Sequence, residues 1–584
     1  MHIDYQPPVD ESLFVLESVI DWKYLFELEV FDHMTPDIAR SVLEEGGKFA
    51  VNVLAPLNQV GDEQGSVLVN GNIKTPDGFP AAFKQYAKNG WAGLDLPEQF
   101  GGQRLPLTLQ VAFSEMVNGA NVSFGMFVVM LRAAAWLMIE HADQKLIDIV
   151  VPRLTNGDWS ATICISEAQA GSDVSRIRTK AEPLANDQYN ITGTKMFITF
   201  GDHDLTDQIV HLVLARTPNA PVGTRGLSLF AVPKFSFEGG ERNSVFISHL
   251  EKKMGLKASP TCVLNLDNAI GYRIGVEGRG LSCMFAMVKL MRLEVSIQGV
   301  GIGEAAAGEA WRYAINRQQG GPATEPPMPI IRHPDVQRML FDMQSRTNAM
   351  RALVFETAFQ LDLSQFAKSA EVRKTALGIA EFLLPVCKSY GSDIGFRTAN
   401  TAIQVLGGHG YISDSGVEQY ARDSRVMSIY EGTNGIQALD LVMRKLLRND
   451  GIYYQCFIDK VKRSLAECRG KVAAELFEPV DAAVDALEEA TQYILRIASR
   501  SRDNIESTAS DYLQLVGLVS SAWIWVRIAA VAKSGSHKDD MRKLMAQFYA
   551  DYVLPEYQAH VTRIYSGRGV LRLFQANEMI TRQN

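Results

Sequence analysis

Cysteine is scarce: six residues in 584, with no Cys-x-x-Cys and no Cys/His cluster. Cys164, Cys262, Cys283, Cys387, Cys456 and Cys468 therefore read as reduced, mostly buried thiols, which excludes a disulfide scaffold and argues against a structural zinc site. A basic excess is lacking too. The chain carries 58 Lys and Arg against 66 Asp and Glu, a net charge of −8, and binding a nucleic-acid backbone requires the opposite balance. Local basic pockets for a phosphate-bearing ligand stay open. No long apolar run is free of charge. Val122 to Ile139 holds Arg132, and Leu515 to Ala532 holds Arg527 with Ser520 and Ser521. A central arginine is costly in lipid, so both runs read as buried helices of a soluble protein. The N-terminus, Met1-His2-Ile3-Asp4-Tyr5-Gln6-Pro7-Pro8, is neither basic nor apolar, so no signal or transit peptide is expected. A cytoplasmic location follows as the expectation, with peripheral attachment to a membrane left open.

What is present is an ordinary globular composition, 47% apolar and 21% charged, in a chain too long for one core. Four segments are expected. Residues 1–158 read as helical, with Thr35 as N-cap of a helix opening at Pro36. From 159 to 280 short apolar, β-branched runs (190–199, 209–215, 227–232, 261–266) between Gly, Pro and Asn clusters predict a β-domain, antiparallel in its pairing. Helical periodicity returns over 281–449, broken by a Gly- and Pro-rich loop at 320–329. Residues 450–584 read as an additional C-terminal helical domain. Gly299, Gly301 and Gly303 do not have G-x-G-x-x-G spacing and follow no strand, so they predict close helix packing rather than a phosphate loop. The fold class is multidomain α+β.

The richest region runs from Ala402-Ile403-Gln404-Val405-Leu406-Gly407-Gly408-His409-Gly410-Tyr411 through Gln419-Tyr420-Ala421-Arg422-Asp423 to Tyr430-Glu431-Gly432-Thr433. A second motif, Ile163-Cys164-Ile165-Ser166-Glu167-Ala168-Gln169-Ala170-Gly171-Ser172-Asp173, opens the β-domain, and Lys195-Met196-Phe197-Ile198-Thr199 follows it. Their order and spacing resemble the acyl-CoA dehydrogenase family over roughly residues 30–448. With the C-terminal extension, the arrangement looks most like the longer bacterial members, which include fatty-acyl-CoA and 3-(methylthio)propionyl-CoA dehydrogenases.

The resemblance implies a role for each matched position. Glu431 is the base that takes the α-proton of an acyl-CoA. Ile165 and Ser166 face the FAD ring, Phe197 stacks on it and Thr199 bonds it. Ser172 meets the pantetheine arm and Arg292 lies near the substrate. Tyr430 and Gly432 line the substrate, and Thr433, also a candidate helix N-cap, borders the cofactor. Arg317, Gln404, Gly407 and Gly408 reach the FAD of a neighbouring subunit, so a homo-oligomer, most simply a dimer, is implied. Each residue also has an ordinary reading: Ser172-Asp173 as a capped turn, Arg292 and Arg317 as solvated helix arginines, Gly407 as a helix C-cap, Glu431 as a surface residue before a helix. Ala168 and Gln169 replace the family's usual proline and glycine. Some branches place the base just before the matched arginine. That position is Met291 here, which cannot take a proton, while Glu294, two residues beyond, would point elsewhere on a helix. His409 reads as structural.

The implied activity is FAD-dependent α,β-dehydrogenation to a trans-2-enoyl-CoA, in fatty-acid β-oxidation or a related pathway. Electron-transfer flavoprotein is the implied acceptor. Alternatives are a 3-(methylthio)propionyl-CoA dehydrogenase, an acyl-CoA oxidase and a non-enzymatic flavoprotein.

Overall fold

The structure, a computed structural model, describes residues 4–185, 187–498, 502–567 and Gly569. Two compact units divide the chain. The first comprises Met1–Val9, Glu29–Glu294 and Ile412–Val426; the second comprises Asp10–Leu28, Val295–Tyr411 and Met427–Asn584.

The first unit begins with helices, as expected. Thr35 caps Pro36–Phe49 by accepting the Ile38 N–H at 3.2 Å. A short hairpin, β1 (Val67–Val69) and β2 (Asn72–Lys74), interrupts this helical segment. Its turn is Asn70-Gly71, with φ of 51° and 78°, a pair suited to a two-residue hairpin turn. Sequence reading passed over that signal. Helix α1 (Leu107–His141) kinks at Asn121 (φ −161°). There the Asn121 side chain accepts the Phe124 N–H at 3.0 Å and restarts the helix as an internal cap.

Seven strands build the sheet of this unit: β3 (Trp159–Cys164), β4 (Lys180–Pro183), β5 (Gln188–Thr199), β6 (Gln208–Ala215), β7 (Ser228–Pro233), β8 (Val245–Leu250) and β9 (Thr261–Ile274). The order is β3-β6-β7-β9-β5-β4, with β8 also on β9. All pairs are antiparallel except β3 and β6, which run parallel. The wholly antiparallel expectation is corrected here: the β4-β5 hairpin lies between β3 and β6 in the chain, so β6 re-enters beside β3 in the same direction.

Both faces of the sheet are buried over β6, every residue of which is buried, with Gln208 and His211 as its polar members. Val210, Leu212 and Leu214 pack on the side of α1, with Ala133, Leu137 and Met138. Val213 and Ala215 pack on the other side, with Ile191, Phe230 and Leu264. Arg132, inside α1, is neutralised by Asp95 at 3.0 Å and has Glu294 at 3.5 Å.

Helix α2 (Gly280–Asn316) contributes its first residues to the first unit and the rest to the second. The second unit adds α3 (Pro334–Phe366), α4 (Ala370–Leu406), α5 (Asn434–Leu439) and α6 (Arg502–Val531). Small residues let α2 and α4 touch by backbone: a methyl on Gly299 would stand 2.3 Å from the Gly391 carbonyl oxygen. The expected packing role of Gly299 is met. Trp523 and Trp525 of α6 are fully buried. Arg527 bonds Glu356 at 2.8 Å and the Val19 carbonyl. Helices α1 and α6 are long and apolar enough to cross a membrane, but 89% and 78% of their most apolar windows are buried within the protein. Among the described residues the six cysteines form no disulfide.

Candidate active site

In the first unit the two motif segments meet along β5. The Met196 N–H donates to the Ser166 carbonyl at 2.9 Å. Lys195 reaches the Ile165 carbonyl at 3.1 Å and the Glu167 carboxylate at 2.9 Å. Glu167 also accepts from the backbone N–H groups of Arg178 and Thr179 and from the Thr179 hydroxyl. Burial opposes the Glu167 charge, but the Lys195 ammonium and these donors outweigh it and hold the carboxyl down at about 2. Ile165 and Ser166, both half-buried, are thereby fixed by backbone. Gln169, where relatives carry glycine, folds its amide onto Glu167 and the Arg176 carbonyl. The substitution is absorbed inside the loop.

Phe197 lies in a β-bulge, where the β5-β9 register shifts between Lys195 and Ile198. Its φ is 59°, and its side chain is 62% exposed while Ile198 beside it is buried. An extra residue in a strand re-aims a side chain, and here it turns an aromatic face outward beside half-buried Thr199. Ser172 is exposed; Asp173 caps the following turn through the Ser175 N–H, as the ordinary reading expects. Arg292 is buried, so it is not a solvated surface arginine. Glu294 is buried and takes the Asn118 amide at 2.7 Å. Burial pushes its carboxyl up, with Arg132 opposing. Glu294 is occupied by this cluster. Asp423 is buried as well, and accepts the Leu256 N–H at 2.5 Å.

In the second unit Glu431 has φ 53° and Gly432 φ 83°, two consecutive left-handed residues. For a residue with a Cβ this conformation costs about 1–2 kcal/mol, so neighbours must impose it. They do. The Gln437 amide donates to the Glu431 carbonyl at 3.0 Å, and Lys388 donates to the Gly432 carbonyl at 2.7 Å. Thr433 caps α5 through the Ile436 N–H at 3.3 Å, as its sequence position predicts. The Tyr430 hydroxyl donates to Gln298. Glu431 is half-buried.

Arg317 and Gln404 are exposed, as are Gly407 and Gly408. Gly407 ends α4 with φ 61°, its N–H bonded to the Ile403 and Gln404 carbonyls, so the C-cap reading holds. Tyr313, one turn before Arg317, bonds His409 at 3.2 Å. That contact joins the end of α2 to the glycine turn, and it gives His409 the structural role expected of it.

Sequence reading missed Lys195, Lys388 and Gln437. The first had a usable signal. Ile191, Gly193 and Lys195 share one face of β5 by alternation, and that face is apolar.

The first unit presents an aromatic face at a strand bulge, and the second holds a carboxylate-bearing residue on a strained turn, features of the kind an enzyme site uses. Comparison with known proteins makes this specific. Models described as the N-terminal, middle and C-terminal domains of acyl-CoA dehydrogenase match residues 40–158, 162–269 and 278–447. One described as acetyl-CoA dehydrogenase C-terminal like matches 457–573. A 3-methylmercaptopropionyl-CoA dehydrogenase of Ruegeria pomeroyi is 38% identical over 96% of this chain and 98% of its own. A broad-specificity linear acyl-CoA dehydrogenase of Mycobacterium tuberculosis is 34% identical over 77% of this chain and 76% of its own. Caenorhabditis elegans ACDH-11, solved with C11-CoA, superposes with a TM-score of 0.77 at 22% identity, covering 94% of this chain and 92% of its own. An acyl-CoA dehydrogenase of Bacillus anthracis, solved with FAD, gives 0.74 at 21% identity, covering 92% and 90%. The chain belongs to the acyl-CoA dehydrogenase family, a family of oxidoreductases.

Proposed function

We propose that the protein oxidises the Cα–Cβ bond of an acyl-CoA thioester, with Glu431 as the base for the α-proton and the trans-2-enoyl-CoA as product. One observation carries this reading: a carboxylate-bearing residue is held at φ 53° by buried side chains, a strain more readily kept for chemistry than for a surface glutamate. Glu431 accepts the proton as general base. Its own backbone N–H is the group assigned to the thioester oxygen as negative charge develops there. Tyr430, Gly432, Arg292 and Ser172 are assigned to the thioester and its pantetheine arm.

The residues fit FAD. Phe197 offers an exposed flat face, and Ile165 and Ser166 form a backbone-anchored edge against Lys195 and Met196 of the same strand as Phe197. FAD supplies the two-electron acceptor for the β-hydride when bound. Arg317, Gln404, Gly407 and Gly408 are assigned to the FAD of a second copy, and Thr433 to the border of the chain's own. The exposure of the first four supports a homodimer. The matched ranges support the division 1–158, 159–280, 281–449 and 450–584. Electron-transfer flavoprotein as acceptor, β-oxidation as the setting and a cytoplasmic location complete the reading. The near-full-length match to the Ruegeria pomeroyi protein favours 3-(methylthio)propionyl-CoA as a second substrate candidate beside straight-chain acyl-CoAs.

The test is anaerobic titration of the yellow protein with an acyl-CoA panel that includes 3-(methylthio)propionyl-CoA. Bleaching of the flavin band identifies the substrate. Glu431→Gln is expected to keep the flavin and lose bleaching rate by roughly 10²–10⁴-fold; near-normal turnover would refute the base. Hydrogen peroxide release in air would point to an oxidase. Failure of every acyl-CoA to bleach the flavin would point to a non-enzymatic flavoprotein.

A further inference from the structure

Lys388 lies in α4 with no exposed surface. Its ammonium reaches the Gly432 carbonyl at 2.7 Å and the Asn434 side-chain oxygen at 3.1 Å. Asn434 in turn donates to Asp393 at 2.8 Å and to the Ser392 hydroxyl at 3.0 Å. Asp393 accepts the Gln514 amide from α6 at 2.9 Å. Gln437, also fully buried, spans the Glu431 carbonyl at 3.0 Å and the Gly432 carbonyl at 3.4 Å. Both left-handed residues therefore have their carbonyl oxygens held by buried side-chain donors. A side chain added to Gly432 would meet the Gln437 amide at 2.8 Å, so the turn and its clamp are fitted closely.

Burying an ammonium is costly unless its donors are met. A methionine would fill the same space without that cost. What Lys388 adds is a charged donor aimed at the one backbone segment that sets the direction of Glu431. We propose that Lys388, with Gln437, is a positioning residue that holds the Glu431 turn in its left-handed conformation and so aims the carboxylate. This rests on the reading of Glu431 as the base. A displacement of about 1 Å in a reacting group can lower a rate by about a hundredfold, and a turn released from a strained conformation spends most of its time elsewhere.

The experiment compares flavin-loaded wild type, Lys388→Met, Lys388→Arg, Gln437→Leu and Glu431→Gln. Flavin-reduction rate, KM, flavin content and amide exchange of residues 428–434 are measured for each. Lys388→Met is expected to keep its flavin and a KM within about threefold, and to lose roughly ten- to a hundredfold in reduction rate. Exchange at 428–434 should quicken while the rest of α4 keeps its protection, and Lys388→Arg should restore most of both. Gln437→Leu should show the same pattern and carries the test if Lys388→Met does not fold. Reduction within twofold of wild type, or unchanged exchange at 428–434, in whichever of the two variants folds would overturn the proposal. Glu431→Gln separates the two readings. If it is inactive while Lys388→Met and Gln437→Leu match wild type, the clamp fails and the base stands. If Glu431→Gln turns over normally, the base fails, and the clamp with it.

Discussion

A lysine with no exposed surface is kept only by what meets its charge, and Lys195 is met by Glu167 and the Ile165 carbonyl. Removing one partner of such a pair strands the other. Lys195→Met is therefore expected to destabilise the first unit by about 3–5 kcal/mol and to loosen the flavin, measured by denaturant unfolding and by flavin retained on gel filtration. Lys195→Met with Glu167→Gln should recover much of the stability, since the stranded carboxylate is then gone. Sequence reading marked Ile165, Ser166, Phe197 and Thr199 by motif, and the structure brings the two segments together through Ser166 and Met196. Lys195 was not marked. A lysine in a strand reads as solvated unless the alternation of Ile191 and Gly193 is followed one step further. Lys388 and Gln437 were hidden for a different reason. They act on backbone carbonyls of residues 431 and 432, and Lys388 does so from 44 positions away, a distance that no local pattern encodes.

Among the elements, β5, β6, β7, β9 and the helical segments were legible because their apolar periods are regular, whereas the short strands β1, β2, β4 and β8 were not named. Exceptions lay where pairing depends on what the chain does between elements. The parallel β3-β6 pair follows from the intervening hairpin, and the bulge at Phe197 from a register shift that the sequence of β5 does not advertise. Helix packing gives a clean test. A methyl on Gly299 meets the Gly391 carbonyl at 2.3 Å, whereas one on Gly308, in the same helix, meets nothing within 4 Å. Gly299→Val should cost about 3 kcal/mol and lower the melting temperature. Gly308→Ala should gain about 0.5–1 kcal/mol. Equal melting temperatures for the two variants would contradict the close crossing of α2 and α4.

For the whole molecule, acid is the informative stress. Burial, reinforced by the Lys234 ammonium, pushes His203 and His211 down to about 3. Both keep neutral rings, bonded to Ser160 and Thr162 at 2.8 Å, and Lys234 is itself paired with Asp202. The unfolded chain takes up these protons near pH 6.5 and the folded one only near 3. Their stabilisation is thus full above about 6.5 and is lost as the pH falls toward 3. Glu167 extends the loss from about 4.5 toward 2. The urea midpoint should decline between pH 7 and 4, and His203→Gln with His211→Gln should flatten the decline. A midpoint constant over that range would rule out the assignment.

Helix α1 leaves one more consequence, and it belongs to synthesis rather than to the finished protein. Its cover includes Met284, Met287 and Met291. These emerge from the ribosome roughly 150 residues after it, a delay of about 8–30 s at ordinary translation speed. Through that interval the nascent chain carries a stretch apolar enough for a translocon to accept. Arg132 stands near its middle, where insertion of an arginine is disfavoured by about 2.5–3.5 kcal/mol. Arg132, which Asp95 neutralises in the finished core, is thus also the residue that disfavours insertion of the unfinished chain.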